Sequence, residues 1–249
     1  METSIIDEKH LELFHHMIEE EVTINDMSFI QSVLKPRHRD ILIKWVCETH
    51  LMLKCDHELL FIIVNIIDRM LGLKEVSKKK LHLVGIASFL IASKFYSVIA
   101  VPLNDLQICS DYNYSDEDIK RVEKIILKAI DFKLNIPTSI TFLDIYYLSV
   151  DSKEERELSR YIAGVSLLSY SMIKFSSFQI AVASIYLSQE MTNDHTQNDH
   201  FECSPMLLEY INKVDTPMDV YKECIIQLNK LLHEKLKEES CELYNKYSK

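Results

Sequence analysis

Glycine is nearly absent: the chain of 249 residues holds three, Gly72, Gly85 and Gly164, where an average usage of about 7% would give roughly 17. No two of them lie within twelve residues of each other. A dinucleotide-binding fingerprint needs three glycines in about six positions and a P-loop needs two, so neither phosphate-binding loop is present. Hairpin-rich β folds lose their turn residues as well. What survives is an all-helical chain, and a hydrophobic share of 47% supplies a core large enough to exclude general disorder. The length fits one large domain or two of about 100–125 residues each.

Charge and cysteine usage remove further classes. Lys and Arg number 28 against 38 Asp and Glu, a formal charge of 28 − 38 = −10. That balance argues against a nucleic-acid partner, because affinity for phosphate backbones comes largely from cations that displace counterions. Lys78, Lys79 and Lys80 form the only run of three basic residues and read as a solvated helix start. The six cysteines, at 47, 55, 109, 203, 224 and 241, contain no C-x-x-C pair, most sit inside apolar helical stretches, and they read as buried thiols in a reducing compartment rather than as zinc ligands or disulfides. The apolar run from Leu59 to Ile67 is interrupted by Asn65 and closed by Asp68, too short to cross a bilayer, and the acidic N-terminus does not resemble a signal peptide. A soluble, intracellular protein without a membrane partner is expected.

Apolar residues spaced i, i+3, i+4, i+7 predict a train of helices. An isolated amphipathic helix over about 7–22 places Leu11, Phe14, Ile18 and Val22 on one face. Five helices follow at about 36–54, 57–71, 77–97, 102–109 and 115–132, the first opening on Pro36 and the fifth on Ser115 with Asp118 three residues on. Five more are predicted at about 138–149, 152–173, 176–191, 204–213 and 217–239, with Ser204-Pro205 and Thr216-Pro217 as starts. The two sets repeat one plan: Ala87-Ser88-Phe89-Leu90-Ile91 precedes Ala183-Ser184-Ile185-Tyr186-Leu187 by 96 positions. Both segments are apolar nearly all round and rich in small residues, as in a central helix wrapped by others. The expected division is 1–35 for the N-terminal helix and loop, 36–136 and 137–239 for the repeats, and 240–249 for a tail. The stretch from Thr192 to His200 reads as a mobile surface loop.

Catalytic constellations are scarce. His57-Glu58 is followed by Phe61 where a zinc-protease helix needs its second histidine. His15 with Glu19 and His16 with Glu20 read as solvated helix-face pairs, and His195 and His200 lack any ligand pattern. No nucleophile, base and oxyanion hole assemble, so neither an enzyme nor a cofactor or metal is expected. The informative residues are polar ones inside apolar helices. A buried charge survives only with a partner, so Arg39 and Asp68 are expected to pair across two packed helices. Lys94 ends the apolar middle helix and Glu123 lies on the fifth. If those helices are neighbours, the two present a donor and an acceptor side by side.

These residues resemble the cyclin family, through several motifs in register. His38-Arg39-Asp40-Ile41-Leu42-Ile43-Lys44-Trp45 resembles the first-helix signature Met-Arg-Ala-Ile-Leu-x-Asp-Trp of cell-cycle cyclins. Asn65-Ile66-Ile67-Asp68-Arg69-Met70-Leu71 is similar to their Asn-Tyr-x-Asp-Arg-Phe-Leu. Leu81-His82-Leu83-Val84-Gly85, then Ala92-Ser93-Lys94-Phe95, resembles Leu-Gln-Leu-Val-Gly leading to Ala-Ser-Lys-Phe. Arg121-Val122-Glu123 falls where the family carries Arg-Met-Glu, and Pro137-Thr138 with Phe142-Leu143 resembles the start of a second cyclin box.

The resemblance implies two tandem five-helix cyclin boxes after an N-terminal helix, in the nucleus or the cytoplasm. It implies a regulatory subunit that activates a cyclin-dependent Ser/Thr protein kinase by positioning its C-helix and activation loop. Lys94 and Glu123 match the family's anchors to that kinase, with Phe95, Tyr96 and Ser97 beside them. Tyr96-Ser97 replaces a frequent pair of glutamates, and the second repeat has Glu190 in place of Lys94. A second family site recruits substrates and inhibitors bearing Arg-x-Leu: Ile41, Leu42, Trp45 and Leu81 match its apolar floor, and Glu48 and Asp111 its acidic rim. His38 and His82 replace the family's methionine and glutamine there, so protonation near neutrality is expected to weaken arginine binding. Arg39-x-x-Leu42 is the only Arg-x-x-Leu and falls in a predicted helix, so no mitotic destruction signal is evident. Other readings open to a cyclin fold are an adaptor in transcription and a decoy that holds a kinase inactive.

Overall fold

The structure, a computed structural model, describes residues 8–21, 34–192 and 203–237. Every regular element among them is helical: α1 (Glu8–Glu20), α2 (Pro36–Met52), α3 (His57–Leu73), α4 (Lys78–Tyr96), α5 (Leu103–Cys109), α6 (Asp116–Ala129), α7 (Ser139–Tyr146), α8 (Lys153–Ser166), a 3-10 turn (Tyr170–Met172), α9 (Ser177–Thr192), α10 (Pro205–Ile211) and α11 (Met218–Lys237). The starts follow the expected chemistry. Ser115 Oγ accepts from the Asp118 N–H at 3.2 Å, Ser204 Oγ accepts from the Leu207 N–H at 3.4 Å, and Pro36 and Pro205 occupy first turns. The helix expected over 152–173 stops at Ser166. Beyond it, Ser169 Oγ accepts from the Ser171 N–H at 3.3 Å, a local bond that competes with helix continuation. The residues expected to form a loop after Thr192, and the tail at 240–249, lie outside the described residues.

The chain divides into two compact units, residues 24–135, and residues 136–249 together with 1–23. In the first, α4 is the central helix and packs against α2, α3, α5 and α6. Its small residues set the spacing. A Cβ on Gly85 would stand 2.8 Å from Leu42 Cδ1 and 3.4 Å from Trp45 Cζ3, so only glycine lets α2 approach this closely without displacing Leu42. In the second unit α9 takes the central place against α7, α8 and α11, with Ala181, Ala183 and Ser184 buried.

Helix α1 packs on α7 and belongs to the second unit; the expected division set it apart with the loop that follows. The Phe14 ring lies 5.0 Å from those of Phe178 and Tyr210 and 6.1 Å from that of Phe142, in edge-on contacts. The buried face is Phe14 with Met17. Leu11 and Ile18, expected on the same face as Phe14, are only half-buried, and Val22 lies outside the described residues. Glu21 Oε1 accepts from the Phe178 N–H at 3.1 Å, capping α9 from a distant part of the chain.

Arg39 of α2 and Asp68 of α3 meet in the core of the first unit, 1% and 5% exposed. The bond is two-pronged: Nε donates to Oδ1 at 3.0 Å and Nη2 to Oδ2 at 2.7 Å. Burial opposes the guanidinium charge, but the charge and hydrogen bonds of Asp68, helped by Asp40 at 3.5 Å, outweigh it and raise the Arg39 pKa. The next residue, Arg69, donates from Nη1 to the Lys133 carbonyl at 2.6 Å and from Nη2 to that of Ile130 at 3.1 Å. It thereby caps the exit of α6. Two adjacent side chains on α3 thus fix the start of α2 and the end of α6. Replacing Asp68 with Ala strands a buried cation and is expected to cost about 3–5 kcal/mol in urea unfolding. Arg39→Met with Asp68→Leu should recover most of that loss; a single-site cost below about 1 kcal/mol would show that the pair does not hold α2 to α3.

Candidate functional site

Lys94 stands in the last turn of α4, where a cation suits the helix dipole, and Glu123 lies midway along α6. Since α4 and α6 are packed neighbours, the two side chains meet, with Nζ 2.6 Å from Oε1. Lys94 is 49% exposed and Glu123 13%. Exposed apolar side chains follow both partners along the chain. Phe95, Val98 and Ile99 are exposed directly after Lys94, as are Ile125 on α6 and Phe132 just beyond it. Tyr96 and Ser97 are half-buried, and the Ser97 N–H donates to the Ser93 carbonyl at 3.1 Å as the cap of α4. Burial raises the Tyr96 pKa, with a contribution from the Glu58 carboxylate of α3. The Glu58 carboxylate of α3 thus lies near enough to Tyr96 for its charge to act on the phenol. The segment after α4 is tied back by the Val101 N–H, which donates to Ser93 Oγ.

A second assembly forms where α2, α4 and the turn after α5 converge. Trp45 is half-buried, its ring centroid 4.3 Å from that of His82 and its Nε1–H donating to the Cys109 carbonyl at 3.4 Å. The Tyr114 ring flanks His82 at 5.7 Å. Leu42 and Leu81 are buried beneath, whereas Ile41 is 66% exposed and forms the accessible apolar surface. Glu48 and Asp111 are exposed, and the Asp111 charge acts on His82. His38 has a different place: its Nδ1 accepts from the Lys35 N–H at 2.8 Å, so it caps the start of α2. Loss of hydration and the charges of Lys78, Arg37 and Lys35 push the His38 pKa down. Burial pushes that of His82 down too, with Asp111 acting the other way. Both shifts run toward the neutral imidazole, so protonation of either ring is moved to lower pH than that of a free histidine.

Several contributors have no signature in the sequence pattern. Arg69 reads as a companion of Asp68, yet it binds the carbonyls after α6. Val98, Ile99 and Phe132 gain meaning only from their exposure, and Tyr114 only from its contact with His82. Among the described residues no group of three His, Cys, Asp or Glu side chains is placed to hold a metal ion, and no helix is long and apolar enough to cross a membrane. Glu190 is exposed near the end of α9.

Comparison with known proteins agrees with this architecture. The family model for the cyclin N-terminal domain matches residues 12–135 and that for the cyclin C-terminal domain residues 137–249. The G2/mitotic-specific cyclin-1 of Medicago sativa subsp. varia is 30% identical over 197 residues, covering 74% of this chain and 46% of that relative. Cyclin-B2-2 of Oryza sativa subsp. indica is 33% identical over 197 residues, covering 74% and 47%. The chain thus spans about half the length of the curated relatives it matches. Among solved structures, a viral cyclin from herpesvirus saimiri superposes with a TM-score of 0.74 at 19% identity, covering 90% of this chain and 96% of that one. A chain of the yeast RNA Pol II CTD kinase CTDK-1 complex gives 0.64 at 11% identity, covering 90% and 71%. With both cyclin domains matched in order over an all-helical fold, the chain belongs to the cyclin family.

Proposed function

We propose that this chain is a regulatory subunit that binds a cyclin-dependent Ser/Thr protein kinase and holds its C-helix and activation loop in the active arrangement. In the same reading it recruits substrates or inhibitors bearing Arg-x-Leu through the surface around Ile41 and Trp45. The observation that carries the reading is the Lys94–Glu123 pair, 2.6 Å apart with the lysine open to solvent and the exposed Phe95, Val98 and Ile99 following it in sequence, in a chain of the cyclin family.

Energetics favour this face as a docking point. An exposed ion pair is worth about 0–1 kcal/mol, so opening it costs little. Once a partner excludes water, the same ammonium and carboxylate make charge-assisted hydrogen bonds to backbone groups, which are worth more. The exposed Phe95, Val98 and Ile99 that follow Lys94 add burial wherever a partner covers them. A subunit that binds only the active form of a kinase shifts its equilibrium by the difference in affinity between the two forms. Taking a kinase from about 1% to 99% active needs roughly 5.5 kcal/mol of such preference. Several exposed apolar side chains plus two charged anchors are of the right order. Membership in the cyclin family supports a kinase as the partner. The yeast chain that shares this fold, part of a kinase complex, adds a precedent for the fold in that setting.

The exchange Lys94→Glu/Glu123→Lys keeps an ion pair within the chain while reversing its polarity toward a partner. Helicity should stay unchanged and the melting temperature should move by no more than about 2 °C. Kinase recovered from an extract of the source cells, and histone phosphorylation by it, should fall at least about 100-fold. Undiminished recovery would rule out this docking face. Recovery of an inert kinase by the wild type would favour the decoy, and recovery of none the transcription adaptor.

The recruiting surface has its own pH signature. A histidine with a lowered pKa is neutral above that value and charged below it, and its positive charge beside Asp111 opposes an incoming arginine. Affinity for an Arg-x-Leu peptide, read by fluorescence anisotropy, should therefore be flat through neutrality and fall only below the ordinary histidine value of 6.5. His82→Gln should remove most of that fall. A fall centred at or above neutrality would contradict the assignment.

A further inference from the structure

The run Lys78-Lys79-Lys80 has no role in the function proposed above, and its setting is unusual for a chain of net charge −10. It opens α4 beside the start of α2, where Lys35 and Arg37 stand. Lys35, Arg37 and Lys78 all lie close enough to His38 for their charges to act on its imidazole. The five cations are exposed, and none makes an ion pair among the described residues. The first turns of α2 and α4 contain no acidic residue. The carboxylates nearest in sequence are Asp40, whose Oδ1 is 3.5 Å from Arg39, and Glu75, which is exposed.

This basic corner is continuous with the surface around Ile41. Arg37, Ile41, Lys44 and Glu48 are all exposed and fall on one stripe of α2, because steps of four, seven and eleven residues return to nearly the same helix face. Arg37 and Glu48 are separated by about 16 Å along the helix axis. On α4, Leu81 and His82 follow Lys80 directly, and His82 leads to Trp45 and Asp111. The surface therefore has an acidic end at Glu48 and Asp111 and a basic end at Lys35, Arg37 and Lys78, with Lys79 and Lys80 following Lys78 in the first turn of α4 and Lys44 between the two ends.

We propose that the peptides received by this surface are themselves bipolar: a linear segment of a protein partner with its arginine at the Glu48/Asp111 end and a run of Asp or Glu side chains at the basic corner. This rests on the recruiting surface proposed above and names the class of peptide it selects. At about 3.3 Å per residue, an extended peptide spans the distance in about five residues. Charge complementarity at both ends fixes the direction of the peptide, because reversing it places like charges together. The occupant is a short peptide; a long polyanion such as nucleic acid would meet the acidic remainder of the surface.

The test uses the full chain and labelled Arg-x-Leu peptides in fluorescence anisotropy. One has neutral flanks, and two carry three aspartates about five residues before or after the arginine. One of the acidic peptides should bind about tenfold tighter than the neutral one at low ionic strength, with the gain shrinking as salt is raised. Lys78→Glu/Lys79→Glu/Lys80→Glu should abolish that gain while binding the neutral peptide as the wild type does. The substitution places acids in the first turn of α4, where the helix dipole favours them, so folding is retained. Equal binding of all three peptides, or a gain that survives in the triple variant, overturns the proposal while leaving the recruiting surface intact. If the neutral peptide does not bind and Trp45→Ala leaves the acidic ones unaffected, the recruiting surface itself falls, and the bipolar peptide with it. A single-stranded oligonucleotide that binds more tightly than either acidic peptide, through the same lysines, also overturns it.

Discussion

The first unit is organised by a charge buried where none is easily tolerated. Arg39, 1% exposed, is kept ionised by the two-pronged bond to Asp68, and that bond exists only if α2 and α3 adopt one relative position. Hydrophobic side chains alone accept many packings of similar energy, whereas a bidentate guanidinium–carboxylate contact accepts very few. Arg69, one residue further along α3, extends the constraint to the exit of α6. With α2 and α6 both referenced to α3, α4 fills the middle, and Gly85 sets how near α2 comes to it. The positions of Trp45 on one face and of Glu123 beside Lys94 on another follow from that frame.

The two ion pairs of this unit differ in burial and therefore in what they can do. Arg39–Asp68 is sealed from water, and separating it leaves a stranded charge costing several kcal/mol. Lys94–Glu123 is half open to solvent on the lysine side, and separating it costs about 1 kcal/mol or less. A docking contact needs the second kind: groups held in place without a partner, yet released cheaply when one arrives. Rigidity beneath and low cost above are complementary. The buried pair keeps the helices from shifting, so little of the binding energy is spent on ordering the site.

Much of this was legible in the sequence, for identifiable reasons. Helix starts could be read because Ser115, Ser204 and Pro36 act locally, through bonds within one turn. The partnership of Arg39 and Asp68 could be inferred because a charge within an apolar helix leaves few alternatives. What escaped depends on tertiary neighbours. Met17 replaces Ile18 on the buried face of α1 because the aromatic cluster around Phe14 sets the docking angle. The capping role of His38 was hidden because its ring reaches back to the Lys35 N–H, a bond that no spacing signalled. The lowered pKa values of His38 and His82 arise from surroundings that no spacing rule encodes. Exposure was equally hidden: nothing in the order of residues distinguishes Val98 and Ile99 from core side chains.

Docking through the Lys94–Glu123 face is tested by an experimental structure of this chain bound to the kinase it recovers from its source cells. The account predicts that Lys94 Nζ and the Glu123 carboxylate, 2.6 Å apart in the free chain, turn from each other to hydrogen bonds with kinase backbone groups flanking the C-helix. Phe95, Val98 and Ile99 should be buried in the same contact. A complex in which the ion pair stays closed and solvent-exposed, with the kinase seated on another surface, would contradict it.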